Sequence, residues 1–190
     1  MEGLFLTLIG ATLFSQSWHL LGLYPDGRTM GVFTSVLGLA TLITLTISPM
    51  LLTGIDIDGN QLESNLNSGE IMVMKMLIIV WASYSIGIGI QGLLDLDERA
   101  VGFFSATVTA ASIVALFYFA GTLGGRYGDS VIVSMSAASL ILATLGGMIF
   151  FHTAIPFNAL RAVAGWFLLV GSFILAAIGL GILTTVIRIS

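Results

Sequence analysis

Two primary amides, Gln16 and Gln91, stand inside long apolar runs, where a polar group left without a partner is costly. A glutamine amide carries two N–H donors and an acceptor oxygen, more than one backbone carbonyl can satisfy, so each needs a second helix, water or a passing molecule. Gluing helices together and lining a pore meet that need equally well, and both readings stay open. Near them lie Ser15, Ser17, Thr34, Ser35, Ser83, Tyr84, Ser85, Thr107 and Thr109. The serine and threonine hydroxyls can bond to their own helix backbone, so each alone is structural. Aromatic side chains could add flat, narrow walls: Trp18, Phe33, Trp81, Tyr84, Phe103, Phe104 and Trp166. Anchoring at a membrane interface accounts for Trp18, Tyr24 and Trp166, whereas Trp81 and Phe33 lie deeper in their runs. The candidate lining is therefore Gln16, Phe33, Trp81, Tyr84, Gln91 and Phe103, uncharged groups that could stand in for the hydration of a small neutral polar solute.

Other chemistries find no set of residues. The 190 residues include no cysteine, which removes thiolate catalysis, disulfides and cysteine-held metal. No Ser-His-Asp set, metal-ligand cluster or phosphate loop can be assembled, so no catalytic residue, metal site or cofactor is expected and the chain does not read as an enzyme. Gly87-Ile88-Gly89-Ile90-Gln91-Gly92 has three glycines but no strand before it, unlike a dinucleotide fingerprint. Asp56-Ile57-Asp58-Gly59-Asn60 starts like a calcium loop, yet Gln61 takes the place of the required glycine and Asn67 that of the closing glutamate. It reads as a solvated acidic loop. A net charge of -4, with acids clustered in that loop, argues against a nucleic-acid surface. No run carries a carboxylate at mid-membrane depth, Lys75 can snorkel, and His19 and His152 lie toward run ends, so a proton relay or ion-coupled pump lacks its parts.

The elements that would position these groups are long apolar helices. Of all residues 57% are hydrophobic and 8% charged, too few for the polar surface of a water-soluble domain. Apolar runs long enough to cross about 30 Å occur at 3–23, 31–53, 71–94, 100–121, 130–151 and 158–187. This predicts an all-α fold, a polytopic membrane protein whose single domain, 1–190, is a bundle of six transmembrane helices in membrane lipid. Met1-Glu2 offers no positive region and no small-residue cleavage site follows, so the first run reads as a retained span. Small residues spaced by four, Ser139, Ala143 and Gly147, Gly121 and Gly125, and Ala177 and Gly181, read as helix-packing faces. Arg28, Arg99 and Arg161 flank one side and Lys75, Arg126 and Arg188 the other. The first trio sits in short loops, which places both termini and the 54–70 loop outside the cell (inner) membrane.

Two stretches carry a resemblance. Gly10-Ala11-Thr12-Leu13-Phe14 through Leu20-Leu21-Gly22, with Pro25 and Arg28, forms the first. Gly89-Ile90-Gln91, Leu94-Asp95-Leu96-Asp97-Glu98-Arg99 and Gly102-Phe103-Phe104-Ser105 form the second. In these the chain resembles the AmiS/UreI family of urea channels and amide-transporter-like membrane proteins, over about a third of its length. Gln16 falls where family members often have asparagine. The family's opening of helix two is present only as Gly31-Val32-Phe33-Thr34-Ser35-Val36-Leu37-Gly38, and its tryptophan-rich fifth helix is replaced by the serine-rich stretch 134–147. The sixth helix carries no carboxylate. The resemblance implies a homo-oligomeric ring, a hexamer, in which each six-helix bundle encloses its own narrow pore for urea or a short amide. Members that open in acid use histidines in their periplasmic loops, and the 54–70 loop has none, so no acid gating is expected. The expected function is a passive channel for a small neutral polar solute such as urea or a short-chain amide. The alternative from another class is a non-catalytic subunit that stabilises a larger membrane complex, favoured by the small-residue faces.

Overall fold

The structure, a computed structural model, describes residues 2–23, 26–52, 68–123, 130–155 and 160–184, the side chains of 46–52 and 130 excepted. These form six helices: α1 (Glu2–Leu20), α2 (Gly27–Leu52), α3 (Ser68–Leu94), α4 (Glu98–Leu123), α5 (Ser130–Thr153) and α6 (Arg161–Leu183). Five of them, α2 to α6, are long and apolar enough to cross a membrane, and the protein is membrane-embedded. α1 has 19 residues, but Ser15, Gln16, Ser17 and His19 dilute its second half. Helices α2, α3 and α4 begin earlier than the apolar runs suggest, because their first turns include polar residues, and those of α2 and α4 are capped. Asp26 accepts from the Arg28 N–H at 3.1 Å and from the Thr29 hydroxyl, and Asp97 accepts from the Arg99 N–H at 3.0 Å. The Thr29 hydroxyl and the Arg28 and Thr29 backbone N–H groups hold the Asp26 carboxyl below the ordinary carboxylate value. The Asp56–Asn60 motif lies outside the described residues. With α3 starting at Ser68, Lys75 sits two turns inside its helix.

The helices close into a ring. α1 packs most closely on α6, α2 on α3 and α4 on α5, while the seams α1–α2, α3–α4 and α5–α6 are looser. The close pairs rest on glycine. A Cβ on Gly31 would meet the Gly89 carbonyl oxygen at 2.6 Å, one on Gly3 the Gly179 oxygen at 2.5 Å, and one on Gly102 the Ala154 nitrogen at 2.6 Å. Of the spaced-by-four faces, Ser139 and Ala143 are buried as expected. Nothing approaches Gly121, Ala177 is exposed, and α6 makes its close contacts through Gly171 and Gly179 instead.

A threefold repeat underlies the ring. Each even-numbered helix opens with an arginine, then a buried glycine and two exposed apolar residues: Arg28, Gly31, Val32, Phe33; Arg99, Gly102, Phe103, Phe104; Arg161, Gly165, Trp166, Phe167. The arginines also act alike. Arg28 pairs with Asp95 at the end of α3 at 3.0 Å, and Arg161 Nε donates to the Leu20 carbonyl at the end of α1 at 3.2 Å. Both place positive charge at the C-terminus of the closely packed neighbour, where the helix dipole favours it.

Candidate functional site: a polar vestibule on the ring axis

At the end of the ring formed by the α1–α2, α3–α4 and α5–α6 connections, a cavity of about 100 Å³ opens inward. The odd-numbered helices contribute His19, Gln91 and His152, which stand eight or nine residues before the repeated arginine in each repeat. One turn deeper the same helices contribute Gln16, Ile88 and Ile149, again in equivalent positions. Tyr84, Thr34, Glu98 and Leu168 complete the wall. The mouth outside is more polar, with Asp97, Glu98, Arg99 and Arg161 around His19 and His152.

The Tyr84 hydroxyl donates to Gln16 Oε1 at 3.4 Å, from α3 to α1. Gln16 is 7% exposed, and its Nε2 has no hydrogen-bond partner although it is buried. Behind Tyr84, Trp81 stacks edge-on at 5.7 Å and donates Nε1–H to Ser112 Oγ at 3.0 Å. Ser112 in turn donates to the Val108 carbonyl at 2.8 Å. Thr34, Ser85 and Thr109 likewise bond to their own helix backbones, as their residue type suggests.

The fold thus brings Gln16, Tyr84 and Gln91 together on one cavity. Trp81 stands one layer behind it, fully buried and satisfied. Phe33 and Phe103 do not line it: at 54% and 62% exposed they face outward. The reason is the repeat, in which the residues after each buried glycine fall on the outer arc of the helix, away from the axis. His19, His152 and Glu98 were not among the expected lining. Taken singly they read as run-end residues; the equal spacing from His19 and His152 to Arg28 and Arg161 is the signal that joins them.

Below the cavity, Leu13, Trp81, Leu77, Val108, Leu142 and Leu175 are wholly buried in one apolar cluster. A scan against protein-family models, a search of curated proteins and a search of solved structures each found no match to this chain.

Proposed function

We propose that the protein is a passive facilitator for a small neutral polar solute such as urea or a short-chain amide, with α1 as the sixth span of a single transmembrane ring. The observation that carries this is the uncharged end of the cavity on the ring axis, where Gln16 keeps a buried amide nitrogen unpartnered. Such a group costs free energy in a resting protein and is compensated when a solute hydrogen-bonds to it. The inner part of the cavity, around Gln16 and Tyr84, offers neutral hydrogen-bonding groups that suit neutral cargo, while Glu98 adds one carboxylate to the lining. In this reading the cavity is one half of the path, and the layer of Leu13, Trp81 and Leu142 is a gate that must part for passage. The resemblance to urea and amide channels agrees with it and adds the expectations of a homo-oligomeric ring, the cell membrane as location and both termini outside. Stopped-flow light scattering on proteoliposomes tests the proposal: urea, acetamide or formamide should enter faster than into empty vesicles, and equal rates for all three end it.

One observation favours a different role. The buried apolar layer also suits a non-catalytic subunit of a larger membrane complex, for which no open path is needed. Purification in mild detergent separates the two, because stoichiometric foreign chains support the subunit and a self-associated ring supports the channel.

A further inference from the structure

Two buried polar atoms without a hydrogen-bond partner, Gln16 Nε2 and His19 Nδ1, lie one turn apart on α1, and both side chains line the vestibule. The hydroxyls of Ser35 and Ser139 also lack partners, but neither residue borders that cavity. Buried polar groups are nearly always satisfied, so two orphans on one face of one helix, carried by side chains that line one cavity, call for an occupant. Their chemistry says which kind. Tyr84 donates to Gln16 Oε1 and thereby leaves the Nε2–H groups as donors at the inner pole. In the tautomer with its proton on Nε2, His19 offers Nδ1 as an acceptor at the outer pole, and the Glu98 carboxylate in the same lining adds acceptor capacity. The two positions differ in height by about 4.5 Å, three residues of helix rise, a span that one molecule of a few heavy atoms bridges with two ordinary hydrogen bonds.

We propose that Gln16 and His19 form a two-pole subsite for a small primary amide, its carbonyl oxygen held inward by Gln16 Nε2 and its N–H held outward by His19 Nδ1. The inference rests on reading the vestibule as a solute site, and it adds an orientation: the oxygen leads. A solute with a carbonyl but no N–H satisfies only the inner pole, and one with N–H but no acceptor only the outer pole.

Saturation-transfer NMR on the full chain in detergent micelles tests this, with acetamide and N,N-dimethylacetamide as probes. Acetamide should receive saturation at least about fivefold more strongly than N,N-dimethylacetamide, the factor that one hydrogen bond supports. Q16M and H19L should each lower the acetamide signal by about fivefold, while H19Q, which keeps an acceptor at that height, should hold it within about twofold of the parent. Should Q16M fail to fold, the contrast between H19L and H19Q decides alone. Equal transfer to acetamide and N,N-dimethylacetamide, or folded Q16M and H19L proteins with an unchanged signal, overturns the subsite. Acetamide binding in the parent without vesicle uptake would leave the subsite standing and remove the channel, whereas uptake unaltered by both substitutions would do the reverse.

Discussion

Gln16 is held from one side only, by a long hydrogen bond from Tyr84. Interhelical bonds of this kind in membranes average roughly 0.6 kcal/mol. Tyr84→Phe should therefore change stability by less than about 1 kcal/mol, as measured by unfolding in detergent, while lowering solute uptake because the amide loses its orientation. Trp81 is the opposite case, filling the layer under the cavity. Trp81→Ala should cost about 3–5 kcal/mol in the same measurement, through the void it leaves. At this scale the sequence distinguished the residues by chemistry and not by direction. A glutamine in an apolar run demands a partner wherever it points, so Gln16 and Gln91 were legible. An aromatic ring suits a lumen, a core or lipid equally, so Trp81, Phe33 and Phe103, now in the core and on the outer arc, were not.

Helix pairs are set by where backbone meets backbone. A Cβ on Gly89 would collide with Ser35 and with the Gly31 oxygen at 2.7 Å, and the backbone there cannot yield. Gly89→Ala and Gly31→Ala should each destabilise the protein by about 1–3 kcal/mol. Gly121→Ala, where nothing approaches, should be neutral or stabilising by up to about 1 kcal/mol through helix propensity. Thermal unfolding of the three variants checks the contrast. The Asp26 cap adds a pH dependence to α2. Its carboxyl is held lower in the folded chain, so its contribution is complete above the ordinary carboxylate range and is lost as pH falls through the depressed value. Amide exchange in the first turn of α2 should accelerate at that acid limit and not at neutral pH. The runs of apolar residues showed the helices, because lipid imposes a minimum length on them, but they misplaced the close contacts on α6. Spacing by four marks a face without saying which face a neighbour covers, and Ala177 stands exposed beside the buried Gly179.

The whole molecule is three copies of one motif bent into a closed ring, in which α1 pairs with α6 to complete the circle. That closure was the least legible feature, since the repeat consists of an arginine, a glycine and two apolar residues per copy, and its meaning depends on which helices meet. The natural absence of cysteine makes accessibility easy to read: single cysteines at Gln91 or His152 should react with a water-borne thiol reagent, and cysteines at Leu77 or Leu142 should not. Labelling at Leu77 or Leu142 would show that the layer beneath the vestibule is wet. Dry, that layer is an electrical insulator. A file of hydrogen-bonded waters could ferry protons across the membrane, and a bare ion stranded among Leu13, Trp81 and Leu142 would face a steep Born penalty. A copy whose Leu13, Trp81 and Leu142 stay packed in this way offers neither protons nor ions a route between those side chains.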